Sequence, residues 1–557
     1  MEQAKEQRRA GIHSITTIPC MNAFAPQFET LSYLQGTRLK RLILFFLNYG
    51  PVLVLTVLAA LVLLWRLNTG TLGRWDEAIY AQVSKEMIES GDWLTPHWEY
   101  KPWFHKPPLL MWLTAIFYRL FEVNEFWSRA ASAFSGIGLV ITTYLVGKLI
   151  YDTYTGFLAA VILLTSYHFV GYARFGTTDV MLTLFTFVAV YAYLRLKQGS
   201  QLWWYAIWNA CALALLVKGA AGVIAPAVIV SALLLDKRLV AAAQSRHFWQ
   251  GLLSAIAVVA PWHILMSVKY GWAFIEEYIG YHVITRTMNA IEGHQAGRIF
   301  YVDELHTYFY PWFYLTPFAL AISIGENIKG QSRSRILLLL IMIVFGIYTA
   351  AQSKLSWYIL PVYPALSVLV AFVVTQAFAS YRSVAFSGLL VAAFMVALTA
   401  PVGIVLICGC IGILIICFSV ATKRPAYRWV PATVCTLLLV VGAHQLLPLY
   451  REGETPVAVL ARAARTTNPY DHEPLIVLSK SAPPADYSDP AALFYSNRPI
   501  LLARTLEDVT RFTDGHQAKR IILEKADLEI LSNGYEVYVL AESEPDVYAT
   551  IRRRGMQ

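Results

Sequence analysis

Apolar runs long enough to cross a bilayer recur along the first 450 positions, separated by short polar breaks. A run of about 18 or more apolar residues spans lipid as a helix, because a helix satisfies its own backbone groups where no water can. The first run covers about Leu42 to Trp65. Twelve more are expected near 127–150, 154–173, 179–196, 202–218, 219–235, 248–269, 308–328, 334–351, 355–377, 384–400, 402–421 and 429–447. The tight pairs 202–235 and 384–421 have the shortest breaks. Alternate breaks are basic: Lys148, Arg195 with Lys197, Lys237 with Arg238 and Arg246, Lys329 with Arg333 and Arg335, Arg382, and Lys423 with Arg424. Arg38, Lys40 and Arg41 precede the first run. The positive-inside rule puts this set in the cytoplasm, and thirteen spans then leave the C-terminus outside.

Two outer breaks are long. Residues 67–126 form a first external loop, in which Ala78–Glu89 and Pro107–Phe121 have the periodicity of interfacial helices. Residues 270–307 form a second, polar and aromatic, with Glu276, Glu277, Tyr278, His282, Arg286, Glu292, His294, Asp303 and Glu304. After about 450 the pattern turns soluble. Strands are expected at Leu475–Lys480, Ile500–Arg504, Arg520–Lys525 and Glu536–Ala541, with helices at Leu506–Phe512 and Ala526–Leu531 between them. The expected fold class is a polytopic α-helical membrane protein of about 13 transmembrane helices with a small α/β C-terminal domain. Its parts are a cytoplasmic tail (1–41), a transmembrane catalytic domain (42–449) and an outer soluble domain (450–557). The tail is polar and basic without an apolar core, unlike a cleaved signal peptide. Met21 is an alternative start.

Composition agrees with the pattern. The 557 residues are 57% hydrophobic and 15% charged, where a soluble chain carries about a quarter charged residues. The net charge of +9 belongs to the inner loops, so no nucleic-acid partner is read from it. Of the six cysteines, all but Cys20 lie in apolar segments, which excludes a disulfide framework or a CxxC metal site. No Gly-x-x-x-x-Gly-Lys-[Ser/Thr] loop is present, so the energy for any transfer must come from an activated, lipid-linked donor.

Ionisable residues at membrane boundaries are costly and by default mark a functional site. Arg74, Asp76, Glu77, His105, Lys106, Arg174, Asp179, Lys218, Arg286 and Lys354 all fall at outer helix ends or loops. Each has a plainer reading as well. Asp179 stands where an acid caps a helix, Lys218 ends a span where lysines snorkel, and Tyr358 fits an aromatic belt. Several cations on one face point to an anionic substrate, phosphate above all. The aspartates point to acid–base work or cation binding. His105, His282 and His294 are the candidates for a metal, without ligand spacing of their own; no cofactor is required, although a bound divalent cation has room. A transporter or flippase is the alternative from another class. It would carry inverted repeats and broken helices at the midplane, whereas here no repeat is visible and the charges line one rim.

Three stretches carry a family resemblance: Arg-Trp-Asp-Glu-Ala-Ile-Tyr-Ala (74–81), Glu-Ser-Gly-Asp-Trp-Leu-Thr-Pro-His (89–97) and His-Lys-Pro-Pro-Leu (105–109). They resemble the first external loop of polyprenyl-phosphate-dependent glycosyltransferases of the membrane type-C fold, and within these the 4-amino-4-deoxy-L-arabinose lipid A transferases. Leu-Val-Lys-Gly (216–219) and Lys-Leu-Ser-Trp-Tyr-Ile-Leu-Pro-Val-Tyr-Pro-Ala-Leu (354–366) continue the match. The chain departs from that pattern at His105, where Glu is frequent, and at Tyr281-His282 with Arg286 displaced. The resemblance implies transfer of aminoarabinose from undecaprenyl phosphate to a lipid A phosphate on the periplasmic face of the inner membrane, by a monomer, conferring polymyxin resistance. It assigns Asp76, Asp179 and Glu77 to catalysis. It assigns Lys106, Arg74, Tyr80, His105, Arg174, Lys218, Arg286, Lys354 and Tyr358 to substrate binding. A related enzyme with another sugar, or a protein or glycan acceptor, is the runner-up.

Overall fold

The computed structural model describes residues 38–73, 75–285, 296–331, 333–379, 383–399, 401, 430–450, 453–467, 473–479, 489–513 and 518–554. Each predicted span falls on helical structure except 402–421, which lies outside the described residues. Five helical stretches are long and apolar enough to cross a membrane, or six if one bent pair counts as a span. The protein is a membrane protein.

One of those stretches, 203–235, doubles back on itself. Lys218 at the end of the Trp203–Lys218 helix binds Asp179, the first residue of the Asp179–Leu196 helix. Asp236, after the Ile224–Leu235 helix, binds Lys197 just past the other end, at 2.7 Å. Seventeen residues of helix separate those anchors by roughly 25 Å. The chain therefore crosses once in each direction and reverses through the short 3-10 turn Gly219–Val223. Gly219 makes the reversal feasible: its φ is +52°, and a Cβ there would lie 2.6 Å from the Tyr278 hydroxyl. Asp236 also takes the Arg335 guanidinium at 2.7 Å, which gathers three of the predicted inner breaks at one end of the bundle.

The span expected at 154–173 is not straight. Helices Thr153–Leu164 and Tyr167–Ala173 meet at 70°. Thr165 and Ser166 sit in the break, and Thr165 accepts a hydrogen bond from the Trp312 indole at 2.9 Å. The second piece thereby carries His168 and Tyr172 sideways toward the rim. In the first external loop, helices Asp76–Ser90 and Leu109–Leu120 form close to the predicted ranges. Between them is a hairpin that the sequence pattern does not announce, His97–Trp98 against Lys101–Pro102. Glu99 and Tyr100 turn it with positive φ, 54° and 58°. The buried Glu86 carboxylate holds that turn by accepting both of their backbone N–H groups, at 3.1 and 2.8 Å.

The C-terminal sheet has five strands, one more than expected. Ile500–Ala503, Leu475–Leu478 and Lys519–Glu524 lie side by side in parallel; Asp546–Arg553 and Tyr535–Ser543 continue the sheet antiparallel. The added strand, Asp546–Arg553, returns as a hairpin from Tyr535–Ser543 and takes the inner place. The Pro490–Ser496 helix of this region packs on the Asp76–Ser90 helix, where Lys85 donates to Asn497 Oδ1 at 2.6 Å.

Candidate active site

The site begins where helices start or stop at one rim of the bundle. Asp76 opens its helix directly after Trp75, whose φ of 73° and ψ of −124° are unusual for a bulky side chain and cost about 1–3 kcal/mol. Asp179 opens a buried helix, and its carboxylate is ion-paired with Lys218; their side chains are 5% and 9% exposed. The Lys218 ammonium also lies over the Tyr358 ring, 5.2 Å from its centroid. Tyr358 stacks on Tyr348 at 4.7 Å. Asp76 and Lys106 both lie close enough to act electrostatically on the Asp179 carboxylate. Tyr172 lies within the same range of Asp76, Asp179 and Glu304. The structure thus brings together Asp76, Lys106, Asp179, Lys218 and Tyr358, residues drawn from five separate stretches.

Other expected residues stand elsewhere. Glu77, expected in catalysis, is fully buried and saturated. One oxygen accepts from Arg129 Nε at 2.8 Å and Gly176 N at 2.9 Å; the other accepts from Gly73 N and Arg129 Nη2. A carboxylate so occupied has no oxygen left for a substrate, so Glu77 is a fastening of the loop. Arg174, expected to bind substrate, donates to the carbonyls of Val62, Leu63, Trp65 and Arg66, and its guanidinium lies 4.5 Å from the Tyr450 ring centroid. It ties off the end of the first span. Lys354 donates to its own turn, at Ala351 O, 2.7 Å, and braces the approach to Tyr358. His105 pairs with Glu277 at 3.1 Å beside Trp103, which also meets Tyr80 edge-on. This ties the stretch before Lys106 to the second external loop. Arg74, Arg286, His294 and the His282 side chain lie outside the described residues. Among the described residues no three His, Cys, Asp or Glu side chains gather as a metal set.

Sequence reasoning missed a polar chain beside these groups. Ser356 donates to Glu304 and also meets His168 Nε2 at 3.0 Å, and His168 Nδ1 meets the Tyr363 hydroxyl at 2.7 Å. Burial holds the Glu304 carboxyl above the usual carboxylate range. Its members come from three distant segments. The one signal in the sequence was a carboxylate four residues before a predicted span.

The fold is the type-C fold of membrane-embedded glycosyltransferases. It superposes on ArnT from Cupriavidus metallidurans bound to undecaprenyl phosphate with a TM-score of 0.70, covering 90% of this chain and 98% of that one at 20% identity. The oligosaccharyltransferase of Archaeoglobus fulgidus follows at 0.54, with 13% identity over 90% of this chain and 75% of that one. Residues 105–265 match the family model described as dolichyl-phosphate-mannose-protein mannosyltransferase.

Sequence relatives narrow the class. An uncharacterized protein from Aquifex aeolicus is 28% identical over 57% of this chain and 63% of its own length. The undecaprenyl phosphate-alpha-4-amino-4-deoxy-L-arabinose arabinosyl transferase of Pectobacterium carotovorum is 29% identical over 57% of this chain and 58% of its own. The chain thus spans about three fifths of the length of these two. The enzyme of the same name from Pectobacterium atrosepticum is 28% identical over 76% of this chain and 79% of its own.

Proposed function

We propose that this chain is a glycosyltransferase that moves 4-amino-4-deoxy-L-arabinose from undecaprenyl phosphate to a phosphate of lipid A. It works on the periplasmic face of a bacterial inner membrane, as a monomer, and thereby confers resistance to polymyxin. The observation that carries the reading is the buried Asp179–Lys218 pair with Asp76 and Lys106 in electrostatic range. The names of the relatives supply the donor and the sugar.

The chemistry follows from the groups. An oxygen of the acceptor phosphate attacks the anomeric carbon of the sugar. The bond from that carbon to the donor phosphate breaks, its electron pair stays on the phosphate, and undecaprenyl phosphate leaves. Lys106 and Lys218 place positive charge where the leaving phosphate gains negative charge, the largest kind of catalytic contribution. A phosphate monoester acceptor is largely ionised at neutral pH, since its second pKa is about 6, so no strong base is needed. Asp76 orients the acceptor and stabilises positive charge growing on the sugar ring. A hydroxyl acceptor would instead need a base, and Asp76 is the carboxylate placed for it.

A second reading has one observation in its favour. The matching family model is described by a protein acceptor and a mannosyl donor. Mass spectrometry of lipid A from a deletion strain, with and without this chain restored, separates the two. The proposal expects a gain of one aminopentose that depends on the chain. Identical lipid A in both strains overturns it in favour of another sugar or acceptor.

A further inference from the structure

The segment from Leu67 to Gly73 has no regular structure, yet side chains from three other elements bind it. Arg129 donates to the carbonyls of Leu67, Thr69 and Thr71 at 2.8–3.0 Å. Glu77 takes the Gly73 N–H. The remaining anchors come from the C-terminal region. The Leu72 N–H donates to the Tyr495 hydroxyl at 2.8 Å, and that hydroxyl donates to Glu125 at 2.9 Å. Thr71 Oγ1 accepts from the Thr455 N–H at 2.9 Å. The Glu125 oxygen that accepts from Tyr495 also takes Arg462, at 2.7 Å, and the Arg462 guanidinium lies 4.8 Å from the Tyr495 ring centroid. Three residues beyond Leu72 stands Trp75 in its strained backbone conformation, and Asp76 follows directly. Such strain persists only where the surroundings over-determine it.

We infer that Tyr495 is a positioning residue for Asp76. Through Leu72, the C-terminal domain holds the strained turn that aims the Asp76 carboxylate at the site. The inference rests on the glycosyltransferase reading for its consequence, while the contact it names is independent of the substrate. A hydroxyl fits this role because it must accept from an N–H and donate to a carboxylate at once. Tyrosine supplies both from a rigid ring buried under the Arg462 guanidinium. Phenylalanine keeps the ring and its packing but leaves the Leu72 N–H and a Glu125 oxygen without that partner.

The test uses the full-length chain with Tyr495→Phe, in two measurements. Hydrogen exchange is expected to rise at the amides of 67–76 while the 475–478 and 519–524 strands keep wild-type protection. With undecaprenyl-phosphate-linked aminoarabinose as donor, kcat is expected to fall about tenfold or more, as small misplacements of reacting groups do, with the donor KM unchanged. Thr71→Val removes the oxygen that accepts from the Thr455 N–H and is expected to shift the same amides, and the double variant to lose less than the product of the two single losses, since both act through one turn. Wild-type exchange at 67–76, or a wild-type kcat, overturns the assignment. If the wild-type chain transfers no aminopentose, the donor reading fails instead, and the exchange measurement alone decides the latch.

Discussion

Two ion pairs lie near each other at one rim of the bundle, and they have opposite characters. In Glu77–Arg129 every carboxylate lone pair in use faces protein: two guanidinium N–H groups and two backbone amides. The guanidinium is spent in turn on three carbonyls. In Asp179–Lys218 the two groups bind each other, and among the described residues the ammonium otherwise has only the face of Tyr358. An ammonium carries three donors and a carboxylate about four acceptor positions, so this pair has capacity to spare. Each place pairs one carboxylate with one cation, and all four side chains are less than a tenth exposed. What separates a fastening from a reactive site is how much hydrogen-bonding capacity the fold has already consumed.

The comparison breaks most sharply at the second pair. Asp179→Asn still accepts a hydrogen bond from Lys218 but removes a charge from the site. Turnover is expected to fall by about 10²–10³, the scale of losing one well-placed electrostatic group, and the thermal midpoint to fall as well, because the Lys218 ammonium loses its charged partner. Steady-state transfer and a melting curve in detergent check both halves. Glu77→Gln reverses the pattern: it leaves the Arg129 charge buried without its partner, at about 3–5 kcal/mol, while the folded remainder loses no more than about tenfold in kcat. A stable, inactive Glu77→Gln protein would return Glu77 to catalysis.

A third buried carboxylate tests the same idea through pH. Desolvation raises Glu86 to about 7 from an ordinary 4.5. Below pH 4.5 the group is protonated in both folded and unfolded chains and has no effect. Between 4.5 and 7 the folded chain binds the extra proton, so stability falls as pH rises through that window, by about 3 kcal/mol in all. Glu86→Gln is expected to flatten this slope, read as the thermal midpoint against pH; an unchanged slope assigns it to other groups. The smallest effect is expected at Arg174→Lys. A lysine reaches fewer of the four carbonyls that close the first span, so stability drops by about 1–2 kcal/mol and donor KM stays put. A raised donor KM would restore Arg174 to the substrate.

Much of this architecture is written in the chain's apolar periodicity and in its alternating basic breaks. The convergence of Asp76, Lys106, Asp179, Lys218 and Tyr358 was legible as charge stranded at one rim. The division of labour within it was not. Asp76 and Glu77 are adjacent acids that look alike in sequence, and only Arg129, 52 residues on, distinguishes them. Arg174 looks like an anion binder until the carbonyls of the first span are brought beside it. The break at Thr165-Ser166 lies inside a run apolar enough overall to be taken as one span, where hydropathy has no means of marking a bend. The Glu304–Ser356–His168–Tyr363 chain joins residues up to 195 positions apart, a pairing that local pattern does not encode. The fifth strand of the C-terminal sheet follows a short turn after a stretch already read as the last strand.

The most direct test of the central claim is the rate at which Asp76→Asn releases undecaprenyl phosphate from the aminoarabinose-linked donor, measured in a single turnover with lipid A present. A fall of about 10³-fold or more is expected, with donor affinity and the melting curve at wild-type values. Release at the wild-type rate would contradict it and move the reacting centre away from Asp76.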